Sequence, residues 1–169
     1  MFVAFDVQYV DPRAAVAAVA FTGWTAAAPF DEVLVALDNV APYLAGSFYK
    51  RELPCLMAAL DVVVQRHVRP DLLFVDGYVN LEPGHAGLGR RLYDIVGIPV
   101  VGVAKTRFHQ AEAVEVLRGA STSPLFVTAV GIDVEEAAHG VELMQGPYRI
   151  PALLRRVDQL ARIGAKGLG

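Results

Sequence analysis

Two short apolar runs constrain this chain more than any other feature. Leu72-Leu73-Phe74-Val75 ends in Asp76, and Pro99 to Ala104 ends before Lys105. Each run is too short for a helix, rich in β-branched or aromatic residues, and apolar at every position rather than at alternate ones. That is the pattern of a central parallel strand covered on both faces. Parallel neighbours require a crossover, and Gly87–Ile95 between them has the length and apolar spacing of a helix, so a β-α-β unit is predicted.

The rest of the chain extends that unit. Phe2–Asp6 and Val16–Phe21 read as strands, and Asp11-Pro12 between them is a turn signal that favours an antiparallel hairpin, with Val33–Leu37 as a third strand. From Arg51 to about His67, Leu53, Leu56, Met57, Leu60, Val63 and Val64 recur at helical spacing, and Arg69-Pro70 ends that helix. Leu125–Val130 is a further strand. Asp133-Val-Glu-Glu136 resembles a capping box that opens a helix through Met144, and a last helix follows Pro151. Ala111–Ala120 fits a helix through Ala111, Val114 and Leu117 and a strand through Val114 and Val116, so both assignments stand. Three antiparallel strands followed by β-α-β-α-β give an α/β fold with a mixed sheet flanked by helices. With 169 residues, 54% of them hydrophobic, the chain is expected to form one domain over 1–169.

Several function classes are excluded. No apolar stretch approaches the roughly 20 residues of a membrane span. Met1-Phe-Val-Ala-Phe-Asp6 has neither a basic leader nor a small-residue cleavage site, so a cytoplasmic protein is expected. Cys55 lies in the apolar pattern of the long helix and reads as a buried thiol. Neither a nucleophile elbow nor a phosphate-cradling loop followed by Lys-Ser or Lys-Thr occurs, and His67, His85, His109 and His139 lack metal-ligand spacing. A net charge of −3 leaves room for no more than a local basic rim.

The chemistry is expected in the acids. If the Leu72–Asp76 strand lies parallel beside the first strand, the carboxyl ends meet where open α/β sheets bind ligands, bringing Asp6 to Asp76. Two facing carboxylates repel unless a cation separates them, and Mg²⁺ takes one or two carboxylates together with waters and phosphate oxygens. Glu52 would add a third oxygen, although an acid also suits the start of a helix for its dipole alone. Lys105 would stabilise a phosphate or a leaving oxygen, although a lysine at a strand end is commonplace.

These residues, in this order, resemble the endonuclease V family. Phe5-Asp6-Val7 looks like its first-strand metal aspartate. Pro42-Tyr43-Leu44-Ala45-Gly46 followed by Arg51-Glu52-Leu53-Pro54 looks like its Pro-Tyr-x-x-Gly loop and Arg-Glu-Leu-Pro helix start. Pro70 to Gly77 resembles its Pro-Asp-x-x-x-x-Asp-Gly strand, Gly87-Leu88 its Gly-Leu, and Gly102-Val-Ala-Lys105 its Gly-Val-Ala-Lys strand. The resemblance implies a ribonuclease H-like fold. It also implies a metal-dependent endonuclease, similar to deoxyribonuclease V, that acts on DNA or RNA containing inosine, in DNA repair or RNA turnover. Asp6, Glu52 and Asp76 would bind Mg²⁺, with Mn²⁺ as a substitute, and position a water, with Lys105 near the scissile phosphate. Tyr43 would be a wedge beside a base turned out of the stack, and the backbone around Gly87 would line the pocket that receives it. Arg51, with Arg90, Arg91 and Arg107, is a candidate for the phosphate-contacting rim.

Three departures mark a short, divergent member. The family's helical segment before the first strand has no counterpart ahead of Asp6. Asp76-Gly77-Tyr78-Val79 and Glu82-Pro83-Gly84 stand where the family reads Asp-Gly-His-Gly and His-Pro-Arg. Pro147-Tyr148-Arg149-Ile150 stands where it reads Gly-His-Arg-Ile, which puts Tyr148 at the position of a histidine close to the metal. Tyrosine is a poor Mg²⁺ neighbour, so a second expectation is a binding module on the same fold that does not cut.

Overall fold

A computed structural model describes residues 1–42, 44, 48–82 and 84–169; Tyr43, the expected wedge, lies outside them. The chain opens with a hairpin of β1 (Phe2–Val10) and β2 (Arg13–Phe21), in register from Phe2 opposite Phe21 to Val10 opposite Arg13. β3 (Asp31–Leu37) pairs antiparallel on the outer side of β2. Helix α1 (Tyr49–Arg66) leads to β4 (Leu72–Asp76), which lies parallel to β1. A small hairpin of β5 (Asn80–Glu82) and β6 (His85–Ala86) precedes α2 (Leu88–Val96), and α2 crosses over to β7 (Val100–Ala104), parallel to β4.

Beyond β7 the expected helical crossover is absent. Val114–Val116 form a short strand, β8, which pairs antiparallel with β9 (Leu125–Val130), and β9 in turn runs antiparallel to β7. The strand pattern of Val114 and Val116 therefore prevails over the helical one. Helices α3 (Val134–Leu143) and α4 (Ala152–Lys166) complete the described chain. Asp133 caps α3 by accepting from the amides of Glu135 and Glu136 at 3.0 and 3.1 Å, as the capping motif implied. The seven-stranded sheet has the order β3-β2-β1-β4-β7-β9-β8. This is the expected mixed sheet flanked by helices, with a parallel centre and antiparallel margins. No helix among the described residues is long and apolar enough to cross a membrane.

The period of two along each strand divides the core. Val3, Phe5, Leu73 and Val75 pack with Leu56, Leu60 and Val63 of α1 and Leu92 of α2. Ala4, Phe74, Val101 and Val103 face the other way, onto Val141 of α3 and Leu153 and Val157 of α4. The buried stripe of α1 is rotated from the expected one. It comprises Arg51, Cys55, Leu56, Ala59, Leu60 and Val63, whereas Val64 is 44% exposed. Cys55 is fully buried, its thiol donates to the carbonyl of Arg51 at 3.3 Å, and burial pushes its pKa up to about 11, so it is an inert packing residue.

Candidate active site

Asp6 stands in the middle of β1 rather than at its carboxyl end. Paired residues of β1 and β4 differ by 70 in number (Phe2 with Leu72, Val3 with Leu73, Ala4 with Phe74), and the same offset sets Asp6 level with Asp76. The ladder stops at Ala4, so the two strands part where the two acids stand. Continuing the alternation of Ala4 and Phe74, both acids belong to the face covered by α4.

A small cleft opens there, about 30 Å³ in volume, room for an ion or a water and not for a base. Asp6, Asp76, Lys105 and Asp158 supply its polar wall. Apolar side chains including Phe5, Phe74, Val103, Ile150, Leu154 and Val157 supply the rest. The Lys105 ammonium lies 2.5 Å from Asp76 Oδ2. Gln8, two residues along β1, donates to Asp6 at 3.1 Å. Asp158 of α4 is held by Arg162 one turn later, at 2.9 Å. Burial, against the help of Gln8 and with the negative charges of Asp158 and Asp76 adding to it, pushes Asp6 up to about 6.

Glu52 approaches from α1, on the opposite face, in the helix's first turn. It does not line the cleft, but it feels its charge: burial first, then Asp6 and Asp76, push it up to about 8. Among the described residues no three acid, histidine or cysteine side chains stand close enough to cage a metal ion as they are. The donor set nevertheless suits one chemically. It consists of hard carboxylate oxygens that repel each other, and a divalent cation is the species that such a set lacks.

Second-layer contacts hold Lys105 in place. Tyr78, at the position expected of a family histidine, donates its hydroxyl to the carbonyl of Thr106 at 2.8 Å and accepts from the amide of Phe108 at 2.9 Å. Arg149 donates to the carbonyl of Lys105 and, at 2.6 Å, to that of Pro124. Gly102 permits the close approach beneath: a Cβ there would lie 2.4 Å from the carbonyl oxygen of Gly77 and 2.7 Å from Thr128 Oγ1.

Six expected positions are engaged in other contacts. Arg51 is 5% exposed, paired with Asp11 and stacked over the Tyr9 ring at 3.8 Å. It is a packing residue rather than part of an open phosphate rim, because its place in the buried stripe of α1 turns it inward. Arg90 and Arg107 are paired with Asp94 and Glu115, and Arg91 stacks on Tyr49. Gly87 is buried, and a Cβ there would meet the Tyr78 carbonyl at 2.5 Å, so its backbone packs under the Tyr78–Val79 turn. Tyr148 does not line the cleft; it is 60% exposed, with the guanidinium of Arg155 over its ring. Asp158, which sequence reasoning missed, occupies the place near the acids that Tyr148 was expected to take. Its one sequence signal is its position beside Val157 in the buried stripe of α4, where an acid adjoins the core.

The family model for endonuclease V matches residues 1–131. Endonuclease V of Streptomyces avermitilis is 32% identical over 184 aligned positions, which cover 95% of this chain and 79% of the relative. A crystal structure of endonuclease V from the same species superposes with a TM-score of 0.75 at 28% identity, covering 99% of this chain and 82% of the other. Endonuclease V of Ciona intestinalis, crystallised with a 23mer DNA containing an inosine followed by a ribo-adenosine, shares the fold with a TM-score of 0.83 at 16% identity, covering 99% of this chain and 86% of the other.

Proposed function

This chain belongs to the endonuclease V family, and from that premise we propose that it is a Mg²⁺-dependent nuclease, working in the cytoplasm, that hydrolyses a phosphodiester near inosine in nucleic acid. One observation carries the reading. Asp6, Asp76 and Asp158 wall a cleft of ionic size, Glu52 feels the charge of Asp6 and Asp76, and Lys105 supplies an ammonium beside them. Acids gathered at the parting of two parallel strands, with Asp6 raised by burial despite the nearby Lys105, are costly unless they serve a ligand.

Asp6, Asp76 and Asp158, joined by Glu52, would hold the ion. Bound there, it would supply an acidified water and offset charge on the phosphate. The protein's own groups do the rest. Gln8 fixes the rotamer of Asp6 through its 3.1 Å hydrogen bond. Lys105, half-exposed and already opposite Asp76, meets the phosphate with a positive charge, and Arg149 and Tyr78 fix the backbone at it and just after it. Burial shields Asp6 and Glu52 from bulk water, so their charges act with little screening, whereas Asp76 opens to solvent where a phosphate would arrive. Tyr43 retains its proposed part as the wedge, and the turn around Gly87 its part beside the extruded base. The reading treats residues 1–169 as one domain built on the seven-stranded sheet.

The alternative of a module that binds without cutting drew on Tyr148 at a metal-adjacent position. Tyr148 lies off the cleft and Asp158 on it, so nothing in the geometry favours that alternative. The test is cleavage of end-labelled single strands of DNA and RNA, with and without one internal inosine, in Mg²⁺ and in EDTA. A cut near inosine that needs Mg²⁺ and is lost in Asp76→Asn is the expected result. A folded protein that leaves every strand intact at high concentration overturns the reading.

A further inference from the structure

Tyr148 and Arg155 form a pair that the cleavage chemistry leaves unused. Tyr148 is 60% exposed, and the Arg155 guanidinium lies 4.5 Å from its ring centroid. Among the described residues Arg155 has no acidic partner, unlike Arg156, which binds Glu32, and Arg162, which binds Asp158. An exposed aromatic ring with a cation over one face and no acid on that cation is what an unpaired nucleotide recognises, through its base and its phosphate respectively.

The ring stands on a rigid base. Buried Arg118 donates to the Tyr148 carbonyl at 2.9 Å and also reaches the carbonyls of Met144 and Arg149. The backbone that carries the ring is fixed in this way, which limits the freedom lost when a base stacks on it. The pair's neighbours along the chain tie its backbone to the cleft. Arg149, next to Tyr148, donates to the carbonyl of Lys105, and Leu154, next to Arg155, lines the cleft wall.

We propose that Tyr148 and Arg155 form a stacking platform for an unpaired nucleotide of the substrate strand beside the cut. The inference rests on the nucleic-acid reading given above and adds to it a position on the protein and a requirement on the strand. Bases in a duplex are already stacked on their neighbours, so the platform favours a strand that is single at this point.

The test is fluorescence anisotropy of a labelled inosine-containing oligonucleotide, single-stranded or annealed to its complement, with Ca²⁺ in place of Mg²⁺ and salt varied. Tyr148→Ala is expected to weaken single-strand binding about tenfold, with a smaller loss on the duplex, and Tyr148→Phe to bind within about twofold of the parent. Arg155→Gln is expected to lower the slope of log affinity against log salt by about 0.7. Tyr148→Ala binding as the parent does, or losing equally on strand and duplex, overturns the proposal. Should Tyr148→Ala fail to fold, an unchanged salt slope in Arg155→Gln overturns it as well. A parent that binds no nucleic acid sinks both this proposal and the nuclease reading, whereas a parent that cuts while Tyr148→Ala matches it sinks the platform alone. A parent that binds without cutting, with the expected loss in Tyr148→Ala, upholds the platform and sinks the nuclease reading.

Discussion

The acids of the β3 margin and the acids of the cleft meet opposite surroundings. Asp31, at the start of β3, accepts from His67 at 2.7 Å and from Arg66 at 3.4 Å, and these partners hold its carboxyl below the usual range. Beside it, Glu32 is gripped by two guanidinium nitrogens of Arg156, each at 2.6 Å, and is likewise held low. Asp6 and Glu52 go the other way, up to about 6 and about 8: burial leads in both, Asp158 and Asp76 add to it at Asp6 against Gln8 and Lys105, and Asp6 and Asp76 add to it at Glu52. At the margin, charges are placed to tie β3 to α1 and α4. In the cleft, they are placed where they strain the metal-free protein, which is a signature of a binding site rather than of a scaffold.

That contrast is open to attack at four points. The largest effect is expected from Asp76→Asn, which should cut turnover by about a thousandfold, since several kcal/mol of charge stabilisation at the phosphate is lost, while the thermal melt stays cooperative. Asp31→Asn, by contrast, should cleave as the parent does, and a comparable loss there would erase the distinction.

The second effect concerns pH. Glu52 and Asp6 bind protons more tightly folded than unfolded, so the metal-free protein should lose stability as pH rises from about 5 to about 8. Glu52→Gln should therefore raise metal-free stability at pH 8 by on the order of 2 kcal/mol, and Mg²⁺ should stabilise the parent more at pH 8 than at pH 6. Denaturant melts across that range, with Mg²⁺ and with EDTA, would check both; a flat profile in EDTA would show that the acids do not repel as described.

Third and smaller, Asp31 has the opposite sign. Its lowered pKa contributes stability that is present above the ordinary carboxylate range and fades as pH falls through the folded value, so Asp31→Asn should flatten the acid limb of the same melts. The smallest effect is expected from Arg156→Gln, about 0.5 kcal/mol for a partly exposed pair, diminishing with salt and leaving Mg²⁺ titrations unchanged.

What the sequence made legible follows from which signals are local. Fully apolar runs ending at Asp76 and Lys105 identify the parallel centre, the first strand laid beside it brings in Asp6, and Glu52 is offered by the helix start and by the resemblance. Asp158 escaped because α4 carries it among Arg155, Arg156 and Arg162, where an acid reads as one more member of a solvated face; only docking of the helix shows that it turns to the cleft. Arg51 was misread for a related reason. Its neighbour Glu52 bears the chemistry, yet residue 51 shares a helical face with Cys55 and Ala59, four and eight positions on, and that spacing draws it inward. Tyr148 followed the motif instead of the geometry: adjacency to Arg149 and Ile150 in sequence does not carry its ring to where Ile150 points.

The cleft is assembled from β1, β4, the end of β7 and α4, so its polar wall draws on positions from 6 to 158. A ribosome must therefore make nearly all of these residues before any cleft exists. A growing or half-folded chain carries the acids but has no place to gather them, so whatever the cleft binds it can bind only once the last helix has docked.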